Sequence, residues 1–336
     1  MSPVMQLVYN GLTLAIYWLG CFIIVRDNNA AFFPTMFSFT QLASQVVTAF
    51  MVLVMLFNLL PRAQVSARRI LEVLNRKSDI LDPAAPIEYA CDGSITFENV
   101  SVGYGGKPVL QHISFRVEKG QTLAIVGGTG TGKTTILKLM LRFLDAEEGS
   151  VQVGGADVRT VEQKGLRASL GYAPQKSVLL SGTVRQNLAF ADPTLSDEAL
   201  LSAAKLACAD TFLAEKDGLE TEVAQGGKNF SGGQRQRLSI ARAVARKPDI
   251  ALFDDSFSAL DFATDAAVRR NLKEQLPDVT KVIVAQRIST VRDADVIVVL
   301  EGGRAVGVGT HRELLRSCEV YREIAASQLT EEELSA

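Results

Sequence analysis

No Asp, Glu, Lys or Arg occurs before Arg26, and none occurs between Asn28 and Pro61. A helix needs about 20 mainly apolar residues to cross a hydrocarbon core, and residues 4–25 and 37–60 each supply that length. A buried helix of a soluble core is the alternative for either run alone. Two runs in succession, joined by the short polar turn RDNNA, favour a membrane hairpin. The composition leans the same way, with 47% hydrophobic and 21% charged residues. A cleaved signal peptide is disfavoured because no basic residue precedes the first run. Beyond Pro61 stand Arg62, Arg68, Arg69, Arg76 and Lys77. By the positive-inside rule this end is cytoplasmic and the RDNN turn lies outside.

The stretch PRAQVSARRILEVL reads as the second helix continuing out of the membrane, with Pro61 a candidate kink. The expected organisation is a membrane portion over 1–77, a polar linker over 78–93 (KSDILDPAAPIEYACDG), a nucleotide-binding domain over 94–328 and a tail over 329–336. From Ser94 the period changes, and SITFENVSV and HISFRVE alternate as strands do. Four scattered cysteines have no paired spacing and suit unbridged thiols in a reducing compartment. His112 and His311 lie far apart, which argues against a histidine metal centre. A net charge of -2 gives no reason to expect a nucleic-acid partner.

The strongest local signal is QTLAIVGGTGTGKTT, residues 121–135. A short buried strand, Leu123 to Val126, runs into a glycine-rich loop, and a helix follows from Lys133 through ILKLMLRFL. Gly127, Gly132, Lys133 and Thr134 hold P-loop spacing. The loop glycines let successive backbone N–H groups of Gly127, Gly128, Thr129, Gly130, Thr131 and Gly132 turn inward on phosphate oxygens. Lys133 is placed for the β- and γ-phosphates and the Thr134 hydroxyl for Mg²⁺, with Thr135 beside it at the helix N-terminus. The apolar strand IALF ends in Asp254, the type of carboxylate that completes an Mg²⁺ shell. NFSGGQRQRLSIARAVARKP opens on Ser231 as N-cap, continues through Gly232, Gly233 and Gln234, and is ended by Lys247-Pro248. It is a second helix N-terminus suited to an anion.

Taken together, these residues resemble the ATP-binding cassette (ABC) transporter family, and within it an exporter half-transporter. GGTGTGKT is similar to the Walker A motif, FSGGQ to the signature motif and ALFDD to Walker B. Ser258-Ala259-Leu260-Asp261 is similar to the D-loop, Gln175 in GYAPQ to the Q-loop, and Tyr104 in VSVGY to the aromatic residue that stacks on adenine. The resemblance implies a transmembrane hairpin followed by an α/β P-loop NTPase domain with antiparallel β and helical subdomains. It also implies ATP and Mg²⁺ as cofactors, Thr134, Gln175 and Asp254 around the metal, and Asp255, Gln286 and Asp261 in catalytic roles. In this family two nucleotide domains pair head to tail. Each ATP sits between the Walker motifs of one and the signature helix of the other, and the Q-loop answers to the membrane domain. The implied partners are a second half-transporter subunit, membrane lipid and an exported small molecule, lipid or peptide. The implied location is a bacterial plasma or inner membrane, with the ATP-binding domain in the cytoplasm.

The sequence departs from the family pattern in three places. Asp255 stands where a catalytic glutamate is usual, shorter by one methylene. Gln286, in VAQRIST, stands where a switch histidine is usual; it can hydrogen-bond a phosphate but carries no positive charge and relays no proton. Two weakened groups at one site imply slow hydrolysis, while the intact FSGGQ serves a partner's ATP. The expectation is therefore a heterodimer with one degenerate site, as in heterodimeric bacterial multidrug exporters. The alternatives are a homodimer in which Asp255 and Gln286 suffice, a regulatory subunit with essentially no hydrolysis, and a soluble ABC ATPase of DNA repair or translation, which the two charge-free spans disfavour. The family also has six membrane helices before the nucleotide domain. Two are present here, matching the last pair, so the sequence is expected to be an N-terminally incomplete half-transporter.

Overall fold

A computed structural model of the chain describes residues 3–329 and divides it into two units, Met1–Asp79 and Ile80–Ala336. Residues 330–336, the greater part of the expected tail, lie outside the described residues.

The first unit is a helical hairpin. One helix spans Pro3–Asp27, a single 3-10 turn spans Ala30–Phe32, and a second helix spans Phe33–Leu74. Both are long and apolar enough to cross a membrane. The tight connection is set locally, since the Asn29 side chain accepts from the Ala31 amide at 3.1 Å. The helices approach closely at Gly20, where an added Cβ would lie 2.2 Å from the Met36 sulfur; small residues allow such backbone approach in helix pairs. Three hydroxyls on the second helix are satisfied internally: Thr40, Ser44 and Thr48 each donate to the carbonyl four residues earlier, at 2.9, 2.8 and 2.8 Å. This removes the penalty of a bare hydroxyl in an apolar setting. At ~1.5 Å per residue the 42-residue helix is roughly 63 Å long, about twice a hydrocarbon core. Pro61 lies inside this helix, which continues past it to Leu74.

Among the described residues of the second unit twelve strands form three sheets. They are β1 Ile95–Tyr104, β2 Lys107–Val117, β3 Thr122–Gly127, β4 Glu148–Val153, β5 Ala156–Asp157, β6 Leu170–Ala173, β7 Gly182–Thr183, β8 Glu222–Val223, β9 Ile250–Asp254, β10 Thr280–Val284, β11 Val296–Glu301 and β12 Arg304–Gly309. An antiparallel sheet has the order β2-β1-β4-β5, and the main sheet has the order β12-β11-β3-β10-β9-β6, parallel except for β12. The strands β3, β9 and β10 are buried on both faces, as parallel strands between two layers must be. Leu123 and Ile125 of β3 pack with Ile95, Phe97 and Phe115 of the antiparallel sheet. Ala124 and Val126 face the opposite core with Phe253, Leu238 and Val268. The register across β10 aligns Ile125, Val284 and Asp254 in one row, which brings the ends of β3 and β9 level.

Two expectations need correction. The helix after the glycine-rich loop spans Lys133–Met140 and stops short of RFL. Arg142 takes a left-handed φ of 50°, and its guanidinium, 4% exposed, turns inward to Asp145 at 3.2 Å, the Val161 carbonyl at 3.2 Å and the Leu81 carbonyl at 2.9 Å. The expected linker is also not a separate tether along its whole length. From Ile80 onward it belongs to the second unit, held by Gln163 N–H to Asp82 at 2.8 Å, Ile87 N–H to the Thr160 carbonyl at 3.1 Å and the Tyr89 hydroxyl to the Val153 carbonyl at 3.2 Å. Its polar, proline-containing composition made it look free; two of its side chains and the Ile87 amide pair with the surface beside it.

Arg142→Ala is expected to destabilise the second unit by about 1–3 kcal/mol, the range for leaving buried acceptors unpaired. It should also open the 80–91 segment to limited proteolysis. Arg76→Ala, which removes a side chain 77% exposed, should change neither.

Candidate functional site

The carboxyl ends of β3, β9 and β10 and the loop after β6 converge on one cavity of about 250 Å³. The glycine-rich loop forms one wall. Gly132 is left-handed at φ 98°, and a Cβ there would lie 2.5 Å from Leu110; Gly127 ends β3 with φ 151°, and a Cβ there would lie 2.3 Å from the Leu300 carbonyl. Any side chain at these two positions would push the loop off the strands that support it. The Lys133 ammonium donates to the carbonyls of Gly127 at 2.8 Å and Gly128 at 2.6 Å. An ammonium has three protons, so one remains for a further acceptor. Burial pulls the Lys133 pKa down, and Asp255 and Asp254 oppose that.

Opposite the loop, Asp254 is 2% exposed and accepts from the Thr134 hydroxyl at 3.0 Å; the Tyr172 hydroxyl stands 3.5 Å from its other oxygen. Burial pushes its carboxyl upward, and the Thr134 hydrogen bond works against this. Asp255, half-buried, has a left-handed φ of 48°, and its N–H bonds the Val284 carbonyl at 3.0 Å. Two glutamine amides converge on one of its oxygens, Gln286 at 3.2 Å and Gln175 at 3.5 Å. Burial raises the Asp255 pKa while the Gln175 amide and Lys133 lower it. Non-glycine residues with φ > 0 are uncommon, and aspartate is among those best able to adopt it.

The expected residues thus divide into groups. Thr129, Gly130, Gly132, Lys133, Thr134, Thr135, Gln175, Asp254, Asp255 and Gln286 line the one cavity. Ser231, Gly232, Gly233 and Gln234 stand apart, at the start of the helix Gly232–Val244. There Ser231 and Gln234 form a reciprocal capping box, Gln234 N–H to Ser231 Oγ at 3.2 Å and Ser231 N–H to Gln234 Oε1 at 2.9 Å. Each side chain satisfies the other residue's backbone N–H, so neither is left over for a further partner through that group. Asp261 caps the helix Phe262–Gln275 by accepting from the Thr264 amide at 2.9 Å and hydroxyl at 2.8 Å. Tyr104 ends β1, is 49% exposed and has the Lys138 ammonium 5.9 Å from its ring centroid; it is not among the cavity's lining residues.

Two contacts beside these motifs were not evident from the sequence. Arg287 donates to the Ser258 and Leu260 carbonyls at 3.1 and 3.2 Å, tying the loop after β10 to SALD. Gln236 accepts from the Ala259 amide at 2.9 Å, joining SALD to the helix that follows FSGGQ. The only sequence signal for either is a polar residue one or two places beyond a motif.

The oxygen donors Thr134 and Asp254, with Gln175 alongside, are hard ligands of the kind Mg²⁺ takes together with substrate phosphates and water. Among the described residues no cluster of three His, Cys, Asp or Glu could hold a metal by itself. The donor set therefore fits Mg²⁺ carried with a phosphate ligand.

Comparison with known proteins agrees with this geometry. Residues 110–258 match the sequence model described as ABC transporter. The chain carries an ABC transporter domain. Among curated relatives, an uncharacterized ABC transporter ATP-binding protein of Mycobacterium tuberculosis is 42% identical over 98% of this chain and 57% of its own length. A probable multidrug resistance ABC transporter ATP-binding/permease protein of Bacillus subtilis is 36% identical over 96% of this chain and 55% of its own. An ATP-dependent lipid A-core flippase of Desulfotalea psychrophila is 35% identical over 94% and 55%. A solved bacterial Atm1-family ABC exporter with ATP bound superposes with a TM-score of 0.76 at 34% identity, covering 87% of this chain and 53% of that one. The chain spans a little over half the length of the curated relatives it matches.

Lys133→Ala is expected to weaken binding of a fluorescent ATP analogue by at least about tenfold, the scale of one charge-assisted hydrogen bond. Circular dichroism should be unchanged, because the lost ammonium bonds only loop carbonyls.

Proposed function

We propose that the chain is the membrane-anchored ATP-binding portion of an ABC exporter subunit, in which ATP binding and hydrolysis on the cytoplasmic side drive export of a small molecule, lipid or peptide. The observation that carries this reading is the convergence of Lys133, Thr134, Asp254, Asp255 and Gln286 on one cavity, in a chain that also has two long apolar helices. The relatives named as multidrug and lipid exporters support the export direction.

Within the site, the loop amides and Lys133 hold phosphate oxygens. Mg²⁺, when bound, neutralises phosphate charge, and Thr134, Asp254 and Gln175 are the residues that hold it. Asp255 is the group that orients and accepts a proton from an attacking water. It is one methylene shorter than glutamate, and a displacement of about 1 Å can lower a rate about 10²-fold. Gln286 donates its amide to Asp255 and adds no positive charge. This subunit's own site is the slow one, and the free glycine amides of FSGGQ serve ATP held by a second, different half-transporter with a glutamate and a histidine at the corresponding positions. Asp261 fixes the SALD turn at the face between the two. Tyr104 offers a ring for adenine from the end of β1. A regulatory subunit without hydrolysis is the competing reading, and turnover decides between them.

Assembled with itself, the chain is expected to turn over ATP slowly. Asp255→Glu combined with Gln286→His should raise turnover about 10²-fold with little change in ATP affinity. Fast turnover by the unaltered chain, abolished by Asp255→Asn, would show that the short carboxylate suffices and would remove the slow-site reading.

A further inference from the structure

The short helix Ile288–Val291 begins immediately after the loop that carries Gln286, and it lacks a side-chain cap of its own. Arg287 occupies the N-cap position, but its guanidinium is directed to the Ser258 and Leu260 carbonyls. First-turn amides need an acceptor from somewhere. The Ile288 N–H finds one in the side-chain oxygen of Gln328, 2.9 Å away and 40 residues later in the chain. The amide nitrogen of the same side chain donates to the Gln286 carbonyl, also at 2.9 Å. One carboxamide therefore clamps the backbone on both sides of Arg287, using its acceptor and its donor together.

Gln328 is exposed, but the chain that carries it is anchored just before it. It follows the helix Glu319–Ala326, whose Tyr321 and Ala325 are fully buried, and its own N–H bonds the Ala325 carbonyl at 3.0 Å. The Tyr321 hydroxyl pairs with His311 Nδ1 at 2.7 Å. On the other side of the clamp, the residue whose carbonyl is held is the one whose side chain reaches Asp255 at 3.2 Å. A held carbonyl fixes the peptide plane on one side of the Gln286 Cα, the point from which its side chain starts.

We propose that Gln328 is a positioning residue for the hydrolytic site, a clip by which the C-terminal helix sets the loop backbone at Gln286 and so the pairing of Gln286 with Asp255. This rests on the reading of Asp255 and Gln286 as the hydrolytic pair. It makes the packing of Glu319–Ala326 a determinant of turnover, although no side chain of that helix lines the cavity.

The test uses the full chain in detergent or lipid, with amide hydrogen exchange across 286–291, ATP affinity and steady-state ATPase kinetics. Gln328→Ala is expected to accelerate exchange at Ile288 about tenfold, the worth of one lost hydrogen bond. It should lower kcat by about two- to tenfold while KM for ATP and the melting temperature stay unchanged. Gln328→Glu keeps the acceptor and loses the donor, so it should restore Ile288 protection without restoring kcat. In a Gln286→Ala background, Gln328→Ala should have no further effect on kcat, because coupled residues are non-additive. An equal loss of kcat in that background, or unchanged protection at Ile288, overturns the proposal. So does a parallel fall in melting temperature and rise in KM, the pattern of a helix that has come loose. If the unaltered chain turns over no ATP, the hydrolytic reading fails by itself. The exchange rate at Ile288 without nucleotide then still supports or overturns the clip.

Discussion

Everything in the site depends on one constraint: the loop after β3 must keep its positive-φ glycine backbone while the strand behind it stays buried on both faces. Glycine-rich sequence permits that conformation but does not hold it in place. What holds it is contact from outside the loop. Leu300 at the end of β11 packs so closely on Gly127 that no Cβ fits, and Leu110 of β2 does the same at Gly132. Inside the loop, Lys133 bridges the carbonyls of Gly127 and Gly128. The antiparallel sheet is thus more than a cover for the core, since one of its strands sets the far wall of the loop.

Sheet order then decides which carboxylates meet that loop. β10 separates β3 from β9, which sets the two strands roughly 10 Å apart at the usual inter-strand spacing. Because Ile125, Val284 and Asp254 share a row, the Asp254 side chain has only to lean across the end of β10 to meet Thr134. A slip of one residue in either pairing would turn Asp254 to the other face of the sheet. The loop after β10 is delivered to the same end by the same register, which is why Gln286 can reach Asp255.

The local parts of this arrangement were legible in the sequence. Two charge-free runs gave two long helices, QTLAIVGG gave a strand ending in a glycine loop, and IALFD gave a buried strand ending in a carboxylate. Their legibility has a physical cause: each is dictated by side chains within one turn or one strand. The parts that were not legible depend on partners far away in the chain. LMLRFL has a helical pattern, yet the helix ends at Met140 because Arg142 turns inward to carbonyls near residues 81 and 161. Nothing near Gln286 in sequence indicates that its carbonyl is held by a residue 42 positions later.

The pairing of Asp255 with Gln286 also has a local logic. At φ 48° the backbone of residue 255 is in a region where aspartate is one of the few side chains commonly found, so a short carboxylate suits this turn better than its longer homologue. A short carboxylate sits nearer the strand ends, where the amides of Gln286 and Gln175 both reach the same oxygen. Those amides stabilise the ionised form through hydrogen bonds, partly offsetting the burial that raises its pKa. A carboxylate held in this way is well ordered and keeps its second oxygen for another partner. It is also a weaker proton acceptor than burial alone would make it. The two unusual residues are therefore joined as one hydrogen-bonded unit at the carboxyl end of the sheet.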